Sequence, residues 1–127
     1  MPTRLTRELA ELRSRLLDMA TIVAEQFTDA VEALLTHDVP RAKQVVERDR
    51  EVDRLELEVD ESCERIMARH QPVATDLRTL LTVEKINTDL ERIGDHCRNV
   101  ARNTKHVTDV PSILDSLKLR DMSETAR

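Results

Sequence analysis

Four carboxylates of this 127-residue chain recur at one spacing, Asp49-x-x-x-Asp53 and Glu91-x-x-x-Asp95. On a helix, side chains at i and i+4 project from one face, so each pair aims two oxygen donors in the same direction. Two such pairs side by side supply four hard donors, the type that Mg2+, Ca2+, Mn2+ and ferric iron prefer. Glu56 and Asp60 continue the acid stripe beyond Asp53, and Glu25-x-x-x-Asp29 repeats the spacing upstream. A solvated helix face shows the same pattern, so spacing alone leaves a cation site and a plain acidic surface both open.

Other chemistries are poorly supplied. A buried di-iron centre of the ferritin kind needs Glu-x-x-His on two helices. The residues three before His37, His70, His96 and His106 are Leu34, Met67, Ile93 and Asn103, and none is Glu. Cys63 and Cys97 lack metal-ligand spacing and read as core thiols of a reduced, cytoplasmic chain. Gly94 is the single glycine and Phe27 the single aromatic residue. Glycine this scarce excludes a phosphate-cradling loop or a dinucleotide fingerprint, and missing aromatics argue against nucleic-acid stacking. No nucleophile, base and acid can be assembled, so no enzyme is expected. Net charge is −5 with neutral histidine, unsuited to duplex binding. From Glu47 to Glu64, nine carboxylates stand against three arginines, which attracts cations or a basic surface. No apolar run is long enough to span a membrane or form a secretory h-region.

These carboxylates need long helices to position them, and the composition provides them: residues rich in Ala, Leu, Glu and Arg, punctuated by Pro40, Pro72 and Pro111. Helix one is expected over about 3–35, with the seam Leu5, Leu9, Leu12, Leu16, Met19, Val23, Phe27, Ala30, Leu34. Asp38 is the expected N-cap of helix two, over about 40–70, with Val45, Val52, Leu55, Val59 and Ile66 inward. Helix three is expected over 73–107, with Leu77, Leu80, Ile86, Leu90, Ile93, Cys97 and Val100 as its seam. Short loops force antiparallel packing, so residues 1–107 should form an all-α, elongated, antiparallel three-helix bundle, each helix about 45 Å long. Residues 108–127 read as a linker and the opening turns of a partial fourth helix.

Counting outward from the turn at Gln71–Pro72 puts Asp49 level with Gly94 and Asp53 level with Leu90, within about one turn. The two carboxylate pairs then share one height. On the expected seam, the Glu91/Asp95 edge lies about 130° from the core, which places any metal at the bundle surface. By the same count Cys63 and Cys97 fall about 25 Å apart, too far for a disulfide.

Two segments resemble the helix-three signature of the PhoU family of phosphate-uptake and phosphate-signalling regulators. They are His70-Gln71-Pro72-Val73-Ala74-Thr75-Asp76-Leu77-Arg78 and Asp89-Leu90-Glu91-Arg92-Ile93-Gly94-Asp95-His96-Cys97-Arg98-Asn99-Val100-Ala101. Upstream, Asp38-Val39-Pro40-Arg41-Ala42 and Asp49-x-x-x-Asp53-x-x-Glu56 match the same pattern. The resemblance implies one PhoU-type repeat, with Asp49, Asp53, Glu91 and Asp95 as metal ligands on the bundle surface for iron or another transition-metal cluster. It also implies a cytoplasmic regulatory adaptor whose partners are a phosphate ABC transporter subunit and a sensor kinase. Family members carry two bundles where this chain carries one. A fragment, or a single-repeat member that pairs as a homodimer, is therefore expected. Two other classes stand beside the adaptor: a metal-buffering helical protein, and a helical assembly module without ligand.

Overall fold

The computed structural model describes residues 3–106 and contains three antiparallel helices: α1 (Arg4–Thr36), α2 (Val39–His70) and α3 (Ala74–Asn103). Each helix packs against the other two. Local chemistry accounts for the ends. The Thr3 hydroxyl accepts from the Thr6 amide at 3.1 Å and caps α1. Asp38 caps α2 as expected, accepting the Arg41 amide at 3.1 Å, with Pro40 in the first turn where its missing N–H costs nothing. His37 and Gln71 close α1 and α2 in the left-handed region (φ 54° and 45°), so each turn spans few residues. Short turns make the register countable. Helix α3 ends earlier than expected, tightening into a 3₁₀ turn over Thr104–His106. The expected linker and partial fourth helix lie outside the described residues.

The core divides along the bundle. Near the α2–α3 turn, large side chains fill it: Leu9, Leu12, Leu16, Val59, Cys63, Ile66, Leu80 and Val83. Met19, Val23, Val52 and Leu55 form the middle. Toward the α1–α2 turn the residues shrink to Ala30, Ala33, Ala42, Val45, Cys97 and Ala101, letting the helices approach closely. Fully burying one of the leucines or valines contributes about 1.5–3 kcal/mol.

Helix α2 buries the expected face, but α1 and α3 are rotated by one residue, about 100°, over part of their length. On α1, Gln26 is fully buried while Phe27 stays 46% exposed. On α3, the seam runs Leu80, Val83, Asn87, Leu90, Gly94, Cys97, Ala101 and Thr104, leaving Ile86, Ile93 and Val100 exposed. Steps of three and four are kept without exception, which is coiled-coil spacing. One consequence bears on the acid pairs. Glu91 and Asp95 flank the true seam and are half-buried instead of lying far around the helix.

Candidate metal centre

Between the middle of the core and its alanine-rich end lies a polar layer, one residue from each helix: Gln26, Asp49 and Gly94. Asp49 occupies a seam position of α2 and is only 2% exposed. It faces Gly94, as the register count expected: a Cβ at Gly94 would lie 3.3 Å from Asp49 Oδ1, from Gln26 Oε1 and from Val52 Cγ1. Glycine suits this close approach, because a Cβ would press on the carboxylate, the Gln26 amide and Val52 unless they gave by a few tenths of an ångström.

Both Asp49 oxygens are held. Gln26 Nε2 donates to Oδ1 at 3.5 Å and to the Val45 carbonyl at 3.3 Å. Arg98 Nη1 donates to Oδ2 at 2.8 Å and approaches Asp95 Oδ1 at 3.3 Å. One turn along α2, Asp53 reaches toward the same point. Carboxylate oxygens of Asp49, Asp53 and Asp95 come within 4.8 Å of one another, close enough for one cation to contact all three. Glu91 stands outside that triad, one turn from Asp95 on the same helix. Burial, the adjoining Asp95 carboxylate and the charges of Asp53 and Glu56 push its carboxyl up to about 7. Burial and the charges of Asp49 and Asp95 also raise Asp53, partly opposed by Arg98. Glu56 rises through burial and through Asp60 and Asp53. The raised carboxyls of Asp53, Glu56 and Glu91 mark an acidic face whose repulsion a cation would relieve.

The donor set fits a hard or borderline cation. It offers carboxylate oxygens from two helices, one of them deeply buried, with Gln26 Oε1 fully buried beside them and without a hydrogen-bond partner among the described residues. Of the four carboxylates expected from spacing, Asp49, Asp53 and Asp95 converge, and Glu91 lies outside that triad on α3. Sequence reasoning missed Gln26, Arg98 and Asn87. Asn87 is buried beside the stripe, donating to the Glu56 carbonyl at 3.1 Å while its own Oδ1 lacks a partner among the described residues. A signal for Gln26 existed: Val23-x-x-Gln26-x-x-x-Ala30 steps as regularly as the path through Phe27. Glu25 and Asp29 serve elsewhere. Arg41 and Arg48 hold Asp29 at 2.9 and 3.1 Å, and Arg48 also reaches Glu25, tying α1 to α2.

The cysteines lie in different parts of the core. Burial, with lesser effects from Glu84, Asp60 and Glu64, pushes the Cys63 thiol to about 12. Burial and Asp49 raise Cys97. Neither is an activated nucleophile.

Among known proteins, the Phosphate-specific transport system accessory protein PhoU homolog of Pseudomonas putida is 47% identical over 95 residues, covering 75% of this chain and 37% of the relative. The Escherichia coli (strain K12) accessory protein PhoU is 39% identical over 95 residues, 75% of this chain and 39% of its own length. The Aquifex aeolicus homolog is 34% identical over 124 residues, 98% of this chain and 56% of its own. The chain thus spans roughly half or less of the curated relatives it matches. The crystal structure of PhoU from Pseudomonas aeruginosa superposes with a TM-score of 0.79 at 44% identity, over 81% of this chain and 49% of that one. Residues 16–104, carrying every element of the polar layer, match the model of the PhoU domain. With its helices, its register and its sequence in agreement, this chain belongs to the PhoU domain family.

Proposed function

We propose that this chain is a non-enzymatic regulatory adaptor of phosphate-specific transport, acting in the cytoplasm through a cation-dependent face on α2 and α3. Family membership over residues 16–104 carries the reading, since the relatives are accessory proteins of phosphate-specific transport systems. Asp49, Asp53 and Asp95, with Glu91 beside them, hold the cation, iron or another transition metal. Once bound, the ion supplies positive charge that relieves carboxylate repulsion and ties α2 to α3. The residues themselves do the remaining work. Gly94 lets the helices approach, Gln26 orients Asp49, and the surrounding acids give the face its sign. Partners are a basic surface on a phosphate ABC transporter subunit or on a sensor kinase, and a second copy of this chain.

Elemental analysis of the purified protein beside an Asp53→Ala/Glu91→Ala variant tests the site. Stoichiometric transition metal in the parent and none in a variant of equal helicity is expected, whereas equal trace metal in both would sink it. Titration against the transporter's nucleotide-binding subunit and the kinase's sensory domain tests the adaptor role. Saturable binding to at least one is expected, and binding to neither would sink that role.

A further inference from the structure

Arg98 stands where a metal ion would be expected to exert its charge. It lies on α3 one turn beyond Gly94 and three residues beyond Asp95. Its Nη1 is 2.8 Å from Asp49 Oδ2 and 3.3 Å from Asp95 Oδ1, so one guanidinium nitrogen bridges carboxylates of two helices. These are two of the three carboxylates that converge. The third, Asp53, feels the same positive charge. The Arg98 Nε is buried and has no hydrogen-bond partner among the described residues. A guanidinium built only to brace the fold would be expected to use its donors more fully; this one leaves a buried donor unpaired while bridging the acids.

The geometry points to Arg98 as the built-in counter-cation of the carboxylate site, competing with metal for Asp49 and Asp95 and so setting the affinity at which metal is taken up. This rests on the carboxylate site being a metal site. Asp49 is 2% exposed, and without either cation its charge would be buried with only a long amide contact to offset it. Arg98 fills that need in the metal-free protein. On metal uptake it releases or shares Asp49 Oδ2, a movement its position permits because its side chain is 25% exposed at the bundle edge. Gln26, reaching Oδ1 from α1, keeps the carboxylate aimed throughout. The guanidinium cannot lose its proton in the accessible pH range, so the competition is one of position and charge.

Calorimetric titration of Mn2+ into the parent, Arg98→Gln and Asp53→Asn, at one pH and ionic strength, tests this. Arg98→Gln should bind Mn2+ about tenfold or more tighter than the parent, the order expected when a unit charge a few ångströms from a cation is removed. Its metal-free form should unfold at a lower temperature than the parent, and Mn2+ should close the gap. Asp53→Asn, which loses a ligand, should bind more weakly. If the parent binds Mn2+ but Arg98→Gln binds equally or less tightly, the competing role is overturned and the site stands. If none of the three binds, the site itself falls, and this role with it. Should Arg98→Gln fail to fold without metal, the parent still decides. Zn2+ titration should shift the Arg98 Nε–H resonance and speed its exchange with water, and an unmoved signal would overturn the role.

Discussion

Burial and its acidic neighbours lift the Glu91 carboxyl to about 7, against 4.5 for the free group. Between those values the folded chain holds a proton that the unfolded chain has already lost. Metal-free stability therefore falls as pH rises through that window, and this group contributes its full stabilisation only below about 4.5. The loss should be roughly 1–2 kcal/mol once solvent screening of a half-buried side chain is allowed for. Glu91→Gln keeps the shape and removes the titration. In chelator, its unfolding midpoint should exceed the parent's at pH 8 and converge with it near pH 4. Parallel profiles for parent and variant would show that Glu91 titrates alike in the folded and unfolded chain. With metal present the sign reverses, because ligating carboxylates must be deprotonated, and affinity should rise across the same window.

At the scale of the helix, Gly94 pits propensity against packing. Alanine is favoured over glycine in a helix interior by about 1 kcal/mol. The added Cβ would meet Asp49 Oδ1, Gln26 Oε1 and Val52 Cγ1 at 3.3 Å each. Asp49 is fixed by Arg98 and Gln26, so the neighbours have little room to give, and packing should win. Gly94→Ala should lower stability by about 1 kcal/mol and weaken metal binding, measured by denaturant unfolding and Mn2+ titration. A stabilised variant with unchanged affinity would show that the layer is loose. This layer also marks where the sequence could be read and where it could not. Prolines, the Asp38 cap and short turns gave three helices and a register that set Asp49 against Gly94. The rotation of α1 and α3 was hidden, since Gln26, Asn87 and Gly94 carry no hydrophobic signal while Phe27, Ile86 and Ile93 beside them carry a strong one. Helix α2 escaped the error because no large apolar residue adjoins Asp49. That three of the four acids converge was legible from spacing; the burial of Asp49, the half-burial of Glu91 and Asp95 and the guanidinium among them depend on which way each helix faces.

The same rotation leaves a feature that concerns the whole molecule. Ile86, Ile93 and Val100 are exposed by 40%, 44% and 37%, and they recur at seven-residue intervals along α3. That interval keeps them on one stripe about 21 Å long, whereas single exposed residues such as Leu17 or Leu57 are ordinary for a protein surface. A stripe at heptad spacing suits a second helix carrying the same stripe, and a two-fold pairing of α3 with its copy brings Ile93 close to the symmetry axis. Ile93→Glu would then place two like charges close together across the pairing. Sedimentation analysis should find the parent at twice the mass of the chain and the variant at the monomer mass. Unfolding of the monomeric variant should change by no more than about 0.5 kcal/mol relative to the monomeric parent at high dilution, since Ile93 lies outside the three-helix core. A parent that sediments as a monomer, or a variant that remains a dimer, would rule out this pairing. Because Ile93 and Gly94 are adjacent and point to different faces, the dimeric form should bind Mn2+ with the same stoichiometry per chain as the monomer, which separates assembly from metal uptake in one pair of titrations.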